Sequence, residues 1–233
     1  MTASQTGVLR VLLTGRGGQL GQALIASLPA GVELIACGRS ELDLQDSEAC
    51  AAAVRRHRPD WVLNAGAYTA VDRAESEVDL AMAVNAAAPQ AFARALAEVG
   101  GQLLQLSTDF VFAGDQGHPY RPDQEHRPLS VYGASKAEAE RRIALELPPE
   151  RFCLLRTSWV YGPVGRNFCL TMLALHQQRA AASEPLRVVA DQVGCPTATH
   201  TLAAACWAVI QRRRSGVQHW SDAGAASWYD FAT

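Results

Sequence analysis

Lys136 is the only lysine in the 233-residue chain, and it stands four residues after Tyr132. Every other fixed positive side chain is an arginine. Residues four apart share one face of a helix. An ammonium placed there lowers the pKa of a nearby phenol and donates hydrogen bonds to sugar hydroxyls, a task arginine's planar fork performs poorly. A phenol with a pKa of about 10 is a weak acid–base group at neutral pH, so the pair suggests proton transfer by a tuned tyrosine. A surface lysine beside a half-buried tyrosine has the same spacing, so the pair needs support from the rest of the chain.

Residues 15–21 read Gly-Arg-Gly-Gly-Gln-Leu-Gly, with Gly15, Gly18 and Gly21 in GxxGxxG spacing. In such a loop the first glycine permits the tight turn, the second lets backbone approach a pyrophosphate, and the third allows close packing. The following helix then turns its amino terminus toward the phosphates. Gly15, Arg16, Gly18, Gln19, Leu20 and Gly21 are therefore candidate dinucleotide ligands, and the strand-to-helix setting favours this over a merely compact turn. A carboxylate at the end of the next strand would bind the ribose hydroxyls of NAD and repel a 2′-phosphate. Here Cys37-Gly38-Arg39-Ser40 brings no acid before Glu41. Arg39 and Ser40, with Arg16, suit a phosphate through arginine's fork of donors; a solvated Arg39 is the equal alternative. Asp43 and Leu44 would border the adenine. Ala65, Gly66 and Ala67, after Asn64, are small enough to leave a crevice beside the sheet. Ser107-Thr108-Asp109 ends a later strand, where the Thr108 hydroxyl reaches the crevice that Tyr132 would face, although these residues also make ordinary turns.

These groups need elements to position them. Apolar runs at 8–14, 32–37, 61–64, 103–108 and 152–158 predict strands, with a shorter one at 186–190. Helical patterns at 19–28, 47–56, 80–99 and 130–147 alternate with them, Asp46 or Ser47 capping the second. The alternation predicts an α/β fold, a doubly wound parallel sheet of the Rossmann type. After about residue 161 the rhythm changes, with helices at 168–178 and 197–213. The expected division is a dinucleotide-binding domain over 1–160 and a smaller substrate-binding region over 161–233, with segments interleaving. The sequence stops where 228–231 reads as the start of another helix, so that region is expected to be incomplete at its carboxyl end.

Hydrophobic residues at 48% suffice for a sizeable core, and a net charge of −2 offers no basic field for nucleic acid. Cys37, Cys50, Cys153, Cys169, Cys195 and Cys206 form no CxxC pair and the histidines are scattered, so no metal site is expected. Residues 1–9 lack a signal-peptide core, and no apolar run approaches a membrane span. A cytoplasmic protein with neither nucleic acid nor membrane as partner is expected.

Together the segments point to a family. They comprise the GxxGQLG loop; Asn64-Ala65-Gly66-Ala67-Tyr68-Thr69-Ala70-Val71-Asp72; Val84-Asn85; and Ser107-Thr108-Asp109-Phe110-Val111-Phe112. Val131-Tyr132-Gly133 with Lys136 follows, then Arg156-Thr157-Ser158-Trp159-Val160-Tyr161 and Asp191-Gln192-Val193-Gly194-Cys195-Pro196-Thr197. In these segments the chain resembles the dTDP-4-dehydrorhamnose reductase branch of the extended short-chain dehydrogenase/reductase family. The resemblance implies an oxidoreductase with Thr108, Tyr132 and Lys136 as catalytic residues. Hydride passes from NADPH, or alternatively NADH, to C4 of a 4-keto nucleotide sugar while the tyrosine protonates the new alkoxide. It also implies cofactor contacts from Tyr132 and Lys136, and substrate contacts from Thr108, Asp109, Phe110, Trp159 and Asn167. A homodimer is the implied assembly. A nucleotide-sugar epimerase or dehydratase of the same family, and a non-catalytic NADP-binding regulatory subunit, are the competing readings. Family members continue for several tens of residues past position 233, which implies a weaker grip on substrate here. Phe110 stands where many relatives carry tyrosine.

Overall fold

A computed structural model describes residues 7–233. Residues 1–6, part of the amino terminus read above as free of a signal-peptide core, lie outside the described residues. The chain begins with β1 (Leu9–Thr14), α1 (Gln19–Ala26), β2 (Val32–Cys37), α2 (Ser47–His57) and β3 (Trp61–Asn64). Short helices α3 (Val71–Ala74) and α4 (Val78–Met82) precede a π-helical turn, Ala83–Ala87, that leads into α5 (Ala88–Val99). Then come β4 (Gln102–Thr108), α6 (Val131–Glu146), β5 (Phe152–Thr157), β6 (Val160–Tyr161) and α7 (Phe168–Ala181). The last elements are β7 (Val193–Gly194), β8 (Thr197–Ala198), α8 (Thr199–Gln211), β9 (Gly216–His219), β10 (Ala226–Ser227) and α9 (Trp228–Ala232).

Six strands form one sheet in the order β2-β1-β3-β4-β5-β9, all parallel. Successive strand residues point to opposite faces, and both faces are covered. Leu12, Val62, Leu103 and Leu154 pack on one side with Val54, Phe92, Leu96 and Ile143. Val11, Leu13, Leu63 and Leu155 pack on the other with Leu24, Leu202, Trp207 and Ile210. This is the doubly wound sheet that the apolar strand runs predict, since strands buried on both faces lack polar alternation. Chain order reverses at β1, with β2 on one side and β3 on the other. The crevice at such a switch point is where ligands bind.

Local chemistry sets the helix ends. The Asp46 carboxylate caps α2 by accepting from Ala49 N, and the Ser130 hydroxyl caps α6 by accepting from Gly133 N. Three features depart from the sequence expectations. No strand forms at 186–190; the next strand is Val193–Gly194, paired antiparallel with β10. The predicted helix over 80–99 is interrupted by the π turn. The sheet also gains β9, an edge strand whose Val217 packs on the core and whose polar Gln218 and His219 are exposed, so that it carries no apolar run. After residue 161 the chain both leaves and rejoins the sheet: α8 covers one face and β9 extends it, while β6 pairs with β8 and β7 with β10 apart from it.

Candidate active site

The carboxyl ends of β1, β3 and β4 converge on the crevice. Gly15 has φ +72°, and a Cβ there would lie 2.7 Å from the Gly66 backbone, so the turn after β1 can approach the loop after β3 only with glycine at position 15. Gly18 donates to the Gly15 carbonyl at 2.9 Å. It begins α1 with no side-chain cap and no acid in the first turn. The amino-terminal N–H groups of α1 and the positive end of its dipole are thus left for an external anion. A pyrophosphate fits this cradle. Gly21 is buried with its α-carbon against the Gly15 carbonyl, where no side chain has room. Leu44 lies against Gly66, and Ala65–Ala67 follow as a half-buried loop, with Gly66 N donating to Thr14 Oγ1 at 3.1 Å.

Two arginines were candidates for a phosphate, and each already has a carboxylate. Arg16 donates to Glu41 at 2.7 Å, and Glu41 also accepts from Gly38 N at 2.9 Å. Arg39 is 76% exposed and faces Asp43 at 3.6 Å. Glu41, one residue beyond the stretch considered in the sequence, is therefore the acid at this corner. Backbone and serine hydrogen bonds, together with Arg16, hold its carboxyl below the ordinary range. The side chains of two other predicted cofactor residues are engaged within the protein. Leu20 packs against the core, and Gln19 is joined to Asn167, whose Nδ2 donates to Gln19 Oε1 at 2.7 Å.

Thr108, Tyr132 and Lys136 come together where α6 crosses the end of β4. Gly133 makes the approach possible, because a Cβ there would overlap the Phe110 carbonyl. Glu75 accepts from Val131 N at 2.8 Å, fixing the first turn of α6 beside Tyr132. The ring of Tyr132 meets Phe110 edge-on at 5.7 Å. Thr108 is buried; its hydroxyl donates to Asp109 at 3.0 Å and accepts from Phe110 N at 3.2 Å. Burial pushes the Tyr132 phenol up to about 12, against a lowering hydrogen bond with Thr108 and with some further rise from Asp109. Burial likewise raises the Asp109 carboxyl. Lys136 is 3% exposed and donates to the Leu106 carbonyl at 2.6 Å. Burial lowers it to about 8, opposed by the charge of Glu140. The expected lowering of the phenol by Lys136 is absent from this arrangement, because the ammonium is engaged on a backbone carbonyl and burial dominates the phenol. A phenol raised in this way is protonated at neutral pH, the form that donates a proton.

Behind the trio lies a buried ionic cluster. Glu140, one turn after Lys136, accepts from Arg156 Nη2 at 2.6 Å, Arg156 Nε at 3.0 Å and Ser107 Oγ at 2.5 Å, with His126 at 3.1 Å. Burial raises this carboxyl, but the hydrogen bonds from His126 and Arg156, the Arg156 charge and Ser107 outweigh it and hold it at about 2. Asn85, inside the π turn, ties Tyr68 to Ser135: it accepts from Tyr68 N at 2.8 Å and donates to Tyr68 O at 2.9 Å and Ser135 Oγ at 3.0 Å. Such turns recur at functional sites.

Of the residues expected to contact a substrate, Asp109 and Phe110 form the 3₁₀ turn after β4, and Asn167 caps α7. Trp159 has φ +45° and stacks on Trp228 with centroids 3.4 Å apart. A non-glycine residue held there costs on the order of 1–3 kcal/mol. The neighbouring Ser158 Oγ donates to Cys195 O at 2.7 Å, stapling this segment to residues 192–197. The sequence marks Glu41 only as the first acid after β2, and it does not mark Trp228, Glu75 and Glu140 as site residues; of these three only Glu140 has a signal, its four-residue step beyond Lys136. Among the described residues no cluster of His, Cys, Asp and Glu has the makings of a metal site, and no helix is long and apolar enough to cross a membrane.

Residues 9–233 match the family described as the RmlD substrate binding domain. The chain is 41% identical over 231 residues to a dTDP-4-dehydrorhamnose reductase of Sinorhizobium fredii, covering 96% of this chain and 76% of that protein. It is 38% identical to the reductase of that name from Escherichia coli, over 96% of this chain and 76% of that protein. Among solved structures, a Bacillus anthracis dTDP-4-dehydrorhamnose reductase in complex with NADP superposes with a TM-score of 0.91 at 36% identity. It covers 98% of this chain and 80% of that one. A Thermus thermophilus UDP-glucose 4-epimerase bound to NAD, at 22% identity and TM-score 0.78 over 96% of this chain and 81% of that one, shares the fold.

Proposed function

We propose, on the premise that this chain belongs to the family of the RmlD substrate binding domain and the dTDP-4-dehydrorhamnose reductases, that it reduces a 4-keto nucleotide sugar. The substrate is dTDP-4-dehydro-L-rhamnose and the product dTDP-L-rhamnose, a precursor for cell-surface polysaccharide. NADPH supplies the hydride; residues 15–21 would hold its pyrophosphate, with Ala65–Ala67 and Leu44 alongside. The observation that carries this reading is the meeting of Thr108, Tyr132 and Lys136 at the end of β4, beside an uncapped helix terminus suited to a dinucleotide.

Each residue then has one task. Thr108 presents its hydroxyl to the sugar carbonyl oxygen. Tyr132, kept protonated by burial, passes its phenolic proton to the C4 oxygen as charge develops there. Lys136 leaves the Leu106 carbonyl to hold the nicotinamide ribose, and its charge stabilises the phenolate left behind. Asp109, Phe110, Trp159 and Asn167 line the sugar-nucleotide side. We assign the cofactor domain to residues 1–160 together with α8 and β9, and the substrate-binding region to the remainder of 161–233. A cytoplasmic location and a homodimer are part of the same reading; sedimentation of the purified protein tests the second.

The reductase reading is favoured over an epimerase by relatives near 40% identity that bear the reductase name, whereas the NAD-bound epimerase supports the fold alone. The test is NADPH consumption with dTDP-4-dehydro-L-rhamnose, with the sugar product identified by NMR. Formation of dTDP-L-rhamnose in step with NADPH loss is expected. NADPH binding without consumption would favour the regulatory-subunit reading instead.

A further inference from the structure

Thr14, Asn64 and Gln105 are each 1% exposed, within a sheet whose other interior residues are largely apolar. Burying carboxamides costs free energy unless every polar atom finds a partner. Their partners are each other. Parallel register sets Thr14 beside Asn64 and Asn64 beside Gln105, so the three form a row across β1, β3 and β4. Thr14 Oγ1 donates to Asn64 Oδ1 at 2.5 Å, and Asn64 Nδ2 donates to Gln105 Oε1 at 2.7 Å. Gln105 Nε2 then donates to the Leu106 carbonyl at 2.8 Å, the same oxygen that accepts from Lys136 Nζ at 2.6 Å. At the far end Gly66 N donates to Thr14 Oγ1 at 3.1 Å.

The direction of this row is determined. Because the Leu106 carbonyl can only accept, Gln105 faces it with its NH₂ group and turns Oε1 toward Asn64. Asn64 therefore offers its NH₂ to Gln105 and its Oδ1 to Thr14, whose hydroxyl donates there while accepting from Gly66 N. The row starts where the cofactor loops meet and ends on the oxygen that holds the lysine. A carbonyl oxygen has two lone pairs, and here both are in use. The N–H dipole of Gln105 presents its positive end beside the ammonium and weakens the acceptor that the ammonium shares.

We propose that Gln105 is a positioning residue for Lys136: by sharing the Leu106 carbonyl it holds the lysine at the crevice while keeping it easy to release toward the cofactor ribose. This rests on the reductase reading for the role of Lys136, but the row itself does not. The ionisable groups around the lysine are Glu140 and Tyr132 on its own helix, Asp109 after β4, and Arg156 and His126 paired with Glu140. None of them is a hydrogen-bond partner of Gln105, so each stays in place when Gln105 is substituted.

The single lysine makes the test direct. Protein grown with lysine labelled with carbon-13 at Cε gives one lysine signal, whose pH titration reports Lys136 alone. Gln105→Met keeps the side-chain length and removes the shared hydrogen bond; the midpoint should rise by about half a pH unit, and NADPH affinity should weaken about threefold, because the ammonium now has the carbonyl to itself. Gln105→Glu retains an acceptor for Asn64 and puts a carboxylate beside the ammonium, so its midpoint should rise by roughly a pH unit or more. It serves as the deciding variant if Gln105→Met fails to unfold cooperatively. An unshifted midpoint in the folded variant, or an unchanged NADPH affinity in Gln105→Met, overturns the proposal. Neither readout uses the sugar, so a failed reductase assay would leave both standing.

Discussion

Replacing Glu140 by glutamine keeps the side-chain volume and strips the charge from a carboxylate that is 3% exposed and bound to Arg156, Ser107 and His126. The carboxyl sits at about 2 in the fold against an ordinary value of 4.5. At 1.36 kcal/mol per pH unit, that difference corresponds to about 3 kcal/mol. Because the folded value is the lower one, this stabilisation is fully present above about 4.5 and is lost as pH falls toward about 2. The variant also leaves Arg156, 4% exposed, without its counter-charge, and breaking a buried pair from one side typically costs about 3–5 kcal/mol. For a chain of this length, roughly 2–4 °C of melting temperature accompany each kcal/mol, so Glu140→Gln should melt about 10 °C lower at neutral pH. Thermal unfolding of the wild type, Glu140→Gln and the double variant Glu140→Met with Arg156→Met provides the assay. The double variant should lose less than the single one, since it removes both charges. A Glu140→Gln cost below about 1 kcal/mol, or a double variant as unstable as Glu140→Gln, would refute the reasoning.

Glu41→Gln removes the carboxylate that holds Arg16 and the Gly38 amide, so NADPH should gain about fivefold in affinity relative to NADH; equal gains for the two cofactors in fluorescence titrations would exclude Glu41 from cofactor choice. Gly133→Ala drives a methyl into the Phe110 carbonyl and should destabilise the fold by about 1–3 kcal/mol in denaturant unfolding. It should also lower turnover more than cofactor affinity, because the shift falls beside Tyr132.

The chemistry that depends on local order was legible in the sequence. The glycine loop follows a buried strand and opens a helix, and the spacing of Tyr132 and Lys136 survives as one face of α6. Strands buried on both faces announce themselves as apolar runs. The edge strand β9 does not, because Gly-Val-Gln-His is covered on one side only. Residues 186–190 mislead for the opposite reason: Leu186, Val188 and Val189 suit a strand by propensity but find no ladder. What the sequence hid are partnerships across long separations. Arg156 stood out within its motif, yet its burial depends on Glu140, His126 and His219, all distant from it in sequence. Thr14 and Asn64 look like polar strand ends and Gln105 like a lone polar residue within a strand, and only the parallel register reveals them as a row. The lysine itself was found, but its acceptor is a backbone oxygen, which no side-chain pattern encodes.

The measurement that bears most directly on the active-site assignment is turnover of NADPH with dTDP-4-dehydro-L-rhamnose by the wild type and by Tyr132→Phe, with NADPH affinity determined for both. The phenylalanine keeps the ring against Phe110 and removes only the proton donor. Turnover should fall by about 10²–10⁴-fold while NADPH affinity stays close to that of the wild type. Near-normal turnover in Tyr132→Phe would contradict the assignment of the proton to this residue.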